Sequence, residues 1–212
     1  MEKAIVWILW LGGAYLVGAI PFGFLIGKMR GVDVRTVGSK NIGATNVYRT
    51  VGHKWGFLAF FCDFLKGFLP AFAASLYLSS LSNVSNPSNF SNLSDLSNLP
   101  VCVGLACVIG HTLTVFMKFR GGKGVATAFG MMVALATVPA LLAFAVFVVT
   151  VWLSHYISLG SMLAALALAA LVWIFPCVLP MRIIAALVAV FVIYKHKSNI
   201  QRLVHGCENK IY

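Results

Sequence analysis

Apolar residues run almost unbroken from Ala4 to Gly27, from Trp55 to Leu78, from Val101 to Met117 and from Thr127 to Tyr194. Runs near or above roughly 18 residues have the length of a helix that crosses a hydrocarbon core. The last run divides at Pro139, at SHYISLG (Ser154 to Gly160) and at FPCVLPMR (Phe175 to Arg182). Four crossings there make seven helices in all, and two make five. The piece from Thr127 to Val138 would rise only about 18 Å, so it is a short helix or half of a broken pair. The pattern predicts an all-α, polytopic membrane protein with about seven transmembrane helices, alternatively five, built as one domain over residues 1–212. Gly18, Gly23 and Gly27 lie on the first helix, and the Gly23-x-x-x-Gly27 pair suits close contact with another helix in lipid.

Composition and charge then orient the chain. A mean hydropathy of +0.93 and only 10% charged residues exclude a soluble domain of 212 residues. Sixteen Lys plus Arg against five acids give a net charge of +11. The basic residues sit beside the spans rather than on a separate domain, which excludes nucleic acid as a partner and points to positive-inside loops, anionic lipid or anionic ligands. Lys28, Arg30, Arg35, Lys40, Arg49 and Lys54 form one basic segment, Lys118, Arg120 and Lys123 a second, and Lys195, Lys197, Arg202 and Lys210 a third. All three are expected in the cytoplasm, with the N-terminus outside and the C-terminus inside. The segment from Ser79 to Pro100 has no Lys or Arg and repeats Ser-Asn, so it reads as a low-complexity outer loop. The first run is too long for a signal-peptide core and precedes its charge cluster, so it reads as a retained helix. Five cysteines without a C-x-x-C argue for neither zinc nor a disulfide framework.

Three polar segments remain, all on the inner side. RTVGSKNIGATNVYR, Arg35 to Arg49, gathers Ser39, Asn41, Thr45 and Asn46 among glycines and ends in Arg49. Glycines let backbone N–H groups approach an anion, hydroxyls and amides donate, and an arginine fork supplies charge, which is how a loop binds phosphate. A re-entrant turn with capping side chains has the same composition. The second segment places Gly121, Gly122 and Gly124 around Lys123. Lys123 is followed by glycine rather than Ser or Thr, so this is no nucleotide P-loop, although a smaller phosphate suits it. In the third, His196, Asn199 and Leu203 share one face of a helix leaving the last span, and Glu208 is an ion-pair partner for a nearby cation. A basic juxtamembrane helix is also a lipid-surface anchor. Within the second span, Asp63 and Lys66 at i,i+3 read as a mutual ion pair facing the bundle interior, with Lys66 also able to lend charge to an anion.

GSKNIGATNVYRTVG, DFLKG, the Gly110–His111 pair followed by FRGGKGVAT, SLGS at Ser158 to Ser161, and KHKSNIQRLVHGCE resemble, in order and spacing, the motifs of the bacterial acyl-phosphate glycerol-3-phosphate acyltransferases of the PlsY type. The resemblance spans nearly the whole chain. It implies an inner-membrane enzyme that moves a fatty acyl group from acyl phosphate to glycerol 3-phosphate, giving lysophosphatidic acid and phosphate in the first step of phospholipid synthesis. It implies coupling to an acyl-phosphate-forming enzyme, no cofactor, and no covalent acyl-enzyme. Carried onto this chain, it assigns Ser39, Asn41, Thr45, Asn46 and Arg49 to one phosphate site and Gly121, Gly122, Lys123 and Gly124 to a second. Lys66, Ser161, His196 and Asn199 complete the pocket, with His196, Asn199, Arg49 and Lys123 as the catalytic set. The chain departs from the family pattern at Lys40, where GSGN has glycine, at His155, where Lys or Arg is common, and in the Ser-Asn loop.

Other classes leave no trace. The fifth residues after His53, His111, His155, His196 and His205 are Leu58, Phe116, Gly160, Gln201 and Lys210, so the His-x-x-x-x-Asp acyltransferase dyad is absent. No G-x-S-x-G elbow supplies a serine nucleophile. The proton of the attacking hydroxyl therefore goes to His196 or to a phosphate oxygen of the substrate. The non-enzyme alternative is a small anion transporter, for which no internal repeat is visible and the polar motifs all lie on one side.

Overall fold

The computed structural model describes residues 2–82 and 96–211. The centre of the expected Ser-Asn outer loop lies outside the described residues; helix reaches Ser82 on one flank, and on the other Leu96 is already helical and a further helix runs from Leu99, so the expected Ser79–Pro100 loop is shortened at both ends. All regular structure among the described residues is helical, in two compact units, Met1–Leu135 and Ala136–Tyr212.

In the first unit, α1 (Glu2–Ala19) and α2 (Phe22–Met29) together make one apolar stretch, Lys3–Met29. The expected single helix is interrupted at Ile20–Pro21, because proline lacks an amide hydrogen and pushes the residue before it out of the α region. Helix α3 (Ala44–Thr50) lies before α4 (His53–Ser82), followed by α5 (Leu99–Thr112), a 3-10 turn at Val115–Met117, and α6 (Val125–Leu135). Helices meet where glycine removes the side chain. A Cβ at Gly18 would strike the Cys107 backbone of α5, one at Gly67 of α4 the Thr127 carbonyl of α6, and one at Gly130 of α6 the Phe64 carbonyl of α4. The Gly23/Gly27 pair behaves differently from its motif. Gly23 rests on the Ile42 carbonyl and Gly27 on the Val34 side chain, so the face seats the loop that follows α2 rather than a helix.

The second unit contains α7 (Thr137–Ser154), α8 (Ile157–Ile174), α9 (Leu179–Lys195) and α10 (Lys197–Val204), with a 57° bend between the last two. The break expected at Pro139 falls at Ala136, and Pro139 sits in the first turn of α7, where its missing donor costs no helical hydrogen bond. Among the described residues five helices are long and apolar enough to span a bilayer, or six when α9 and α10 count as one bent span. Large apolar side chains such as Ile8, Leu9, Trp152, Leu187 and Val190 are exposed. On helices this apolar all round, such residues face hydrocarbon rather than water.

Candidate active site

In the first polar segment one side chain ties the loop together. Asn46, 1% exposed, donates through Nδ2 to Val34 O at 2.8 Å and to Val37 O at 3.2 Å, and its Oδ1 accepts from the Ser39 amide at 2.9 Å. Both ends of the carboxamide thus hold backbone. Gly38 has φ +58, and a Cβ there would overlap Asn46 Oδ1, so conformation and contact both demand glycine. Lys40 also has a positive φ, 57°. That conformation favours glycine and makes lysine a strained residue here, by roughly 1 kcal/mol. Asn41 Oδ1 accepts from the Gly43 amide at 2.8 Å, an Asx turn that leads into α3. Ser39 is exposed; Thr45 and Arg49, on α3, are half-buried. Arg35 is paired: its guanidinium reaches Asp33 at 2.7 Å. Side-chain and backbone hydrogen bonds from Arg35 lower the Asp33 carboxyl to about 2.

The second segment is laid on the end of α5. The Gly121 amide donates to Thr112 O and the Gly122 amide to His111 O, both at 3.1 Å, satisfying carbonyls that the last helical turn leaves open. Gly124 has φ +82, and half-buried Lys123 lies between it and Gly122. Behind this loop, Lys66 Nζ meets Asp63 Oδ1 at 2.7 Å and donates to Ile20 O at 2.8 Å. The ion pair expected at i,i+3 is present, and Lys66 also bonds to the carbonyl at the α1–α2 break. His111 Nδ1 faces the same Asp63 oxygen at 3.5 Å. Asp63 and His111 stood outside the expected site set; the sequence placed Asp63 with Lys66, and no spacing connects either to residue 111.

In the second unit, the tail after α10 folds back. Glu208 Oε1 accepts from Asn199 Nδ2 at 2.7 Å and from Ser158 Oγ at 2.9 Å, while Oε2 takes the Arg202 Nε at 2.6 Å. The ion pair expected of Glu208 is therefore with Arg202. Burial pushes its carboxyl up, but the hydrogen bonds from Arg202, Asn199 and Ser158 outweigh it and hold it below the usual glutamate range. The Ile211 amide donates to His155 O at 2.9 Å, which puts the tail and the α7–α8 connection on one side of this unit. Ser158, fifty residues from Glu208, is the serine of SLGS that joins the network. Ser161 instead donates to Ile157 O of its own helix at 2.8 Å. His196 ends α9 and precedes α10, with Nδ1 2.7 Å from Val192 O. A carbonyl only accepts, so in this contact Nδ1 carries the hydrogen.

Against known proteins, the sequence profile described as "Glycerol-3-phosphate acyltransferase" matches residues 8–206. The chain belongs to this family. The glycerol-3-phosphate acyltransferase of Trichlorobacter lovleyi is 45% identical over 203 residues, covering 96% of each chain, and that of Aquifex aeolicus is 41% identical over 93% of this chain and 95% of its own. A crystal structure of PlsY, an integral membrane glycerol 3-phosphate acyltransferase, in its glycerol 3-phosphate form, superposes with TM-score 0.84 at 38% identity, over 97% of this chain and 95% of that one. Its lysophosphatidic acid form superposes with TM-score 0.81 at 37% identity. This glycerol-3-phosphate acyltransferase family member is thus an integral membrane acyltransferase of phospholipid synthesis, and the motif resemblance read from the sequence is borne out.

Proposed function

We propose that the protein transfers a fatty acyl group from acyl phosphate to the hydroxyl of glycerol 3-phosphate, releasing lysophosphatidic acid and inorganic phosphate. The observation that carries this reading is the likeness, over 97% of the chain, to a PlsY crystal structure in its glycerol 3-phosphate form. The donor is a mixed anhydride and needs no covalent acyl-enzyme. The glycerol oxygen attacks the acyl carbon, the bond from that carbon to the phosphate oxygen breaks, and the hydroxyl proton passes to an oxygen of the leaving phosphate. The protein contributes orientation and electrostatic stabilisation.

Arg49 and Lys123 supply the charges of the two phosphate sites. Ser39, Asn41 and Thr45 line the first, and Gly121, Gly122 and Gly124 shape the second. Asn46, Lys66 and Ser161, whose polar atoms bond to protein groups, act by positioning. His196 and Asn199 orient the reacting groups, with Asn199 held by Glu208. The functional unit is the whole chain, residues 1–212, as one catalytic domain, a reading supported by a family profile that runs from residue 8 to residue 206. Counting the 11-residue α6 as a short crossing makes seven spans, with the polar segments facing the cytoplasm of a bacterial inner membrane. The tail's bond to His155 O supports counting α8 and α9 as two crossings that bring the chain back to one side. An enzyme that makes acyl phosphate would supply the donor.

The assay is purified protein with both substrates, following phosphate release and lysophosphatidic acid. Arg49→Ala and Lys123→Ala each lose a charge-assisted contact and are expected to lower kcat/KM by about 2–4 kcal/mol, thirty- to a thousandfold. A folded variant with near-normal rate would remove that residue from the site. His196→Gln is expected to keep a useful fraction of the rate. A loss above about a thousandfold, together with disappearance of the acidic limb of the pH profile, would make His196 the base.

A further inference from the structure

We propose that Asp63, Lys66 and His111 are positioning residues for the second glycine loop, the His111 imidazole forming a floor on which Gly122 rests. The proposal builds on the reading of that loop as a phosphate site. A Cβ added at Gly122 would collide with the ring, meeting Nε2, Cε1 at 2.8 Å and Cδ2 at 3.1 Å, so backbone and imidazole are in direct contact. The same histidine holds the Gly122 amide through its carbonyl at 3.1 Å. The loop is thus fixed to one residue twice, by main chain and by side chain.

The ring's own orientation comes from α4. Its Nδ1 faces Asp63 Oδ1 at 3.5 Å, a polar contact short of a hydrogen bond that turns the Nδ1 edge of the ring toward the carboxylate. Asp63 is set in turn by Lys66 at 2.7 Å, and Lys66 by the Ile20 carbonyl at the proline break. A continuous series of contacts therefore runs from the α1–α2 break through α4 and α5 to the loop. All three side chains are buried, at 2%, 4% and 5% exposure for Asp63, Lys66 and His111. Lys66 cancels the carboxylate, so the floor adds no negative charge beneath an approaching phosphate. Gly122 packs against the Nε2 edge of the ring, which makes the imidazole a support for the loop.

The test uses the purified full chain, titrating glycerol 3-phosphate and acyl phosphate each against a saturating amount of the other. His111→Ala is expected to raise one of the two KM values about tenfold or more with kcat within about threefold, and His111→Gln to recover much of the loss. Asp63→Asn should shift the same KM in the same direction. Gly122→Ala should raise that KM as well, yet add nothing in a His111→Ala background, where the methyl has room. Calorimetric binding of glycerol 3-phosphate and of inorganic phosphate reads the same effects without turnover. A kcat loss at constant KM, multiplicative effects in the double variant, or loss of folding in every variant would overturn the positioning role. Absence of turnover in the wild type would sink the proposed reaction instead, while binding would still decide the floor: wild-type binding unmoved by these variants, or no binding at all, overturns it.

Discussion

At the scale of single residues, Glu208 shows how one acid in a basic chain organises its surroundings. It takes three donors with both oxygens and is 7% exposed. Glu208→Ala would leave buried Ser158 and Asn199 donors without their acceptor and Arg202 without its carboxylate, an expected loss of about 2–3 kcal/mol, reduced from the fully buried case because Arg202 is partly exposed. The pH dependence follows from a folded-state pKa held below the ordinary value of about 4.3. Its stabilisation is complete above that ordinary value and is lost as pH falls through the lower folded one. Thermal unfolding in detergent between pH 3 and 7 should show this loss in the wild type and a smaller slope in Glu208→Gln. The scarcity of acids marked Glu208 in the sequence, and the i,i+3 spacing marked Asp63 with Lys66. Asn46 gave no comparable signal: an asparagine among glycines reads equally as a phosphate ligand and as a loop fastener, and only the positions of Val34, Val37 and the Ser39 amide distinguish them.

At the scale of elements, the apolar runs located the helices because burial in hydrocarbon requires every backbone group to be satisfied within the segment. Their interruptions were less legible. Pro21 breaks the first run although apolar residues continue through it, whereas Pro139 stands at a helix start. Glycine spacing also misdirected: Gly23 and Gly27 carry a helix-pairing motif but accommodate a loop, while Gly67 and Gly130 make the α4–α6 contact. Gly67→Ala should therefore cost about 1–3 kcal/mol, since its methyl meets the Thr127 backbone, and should lower activity because α6 begins just after the Lys123 loop. Gly12→Ala, with nothing within 4 Å, should be neutral or stabilising by up to about 1 kcal/mol. Unfolding midpoints of the two variants compare them directly, and equal effects would contradict the close α4–α6 approach.

At the scale of the whole molecule, the distribution of Lys and Arg predicts sidedness. A cysteine replacing Lys40 or Lys197 should resist an impermeant thiol reagent applied outside intact cells, and one replacing Asn89 should react. Labelling of Lys197→Cys from outside would reverse the proposed orientation. By itself the sequence determined the helical membrane class, the basic segments and the family, because hydropathy, charge and contiguous motifs are properties of neighbours along the chain. Tertiary structure alone decided which polar groups are engaged by protein: Asn46 with the first loop's backbone, His111 beneath Gly122, Ser158 and Asn199 on Glu208. Those pairings join residues with no fixed sequence separation, and their strength depends on distance and burial, quantities that exist only once the helices have packed.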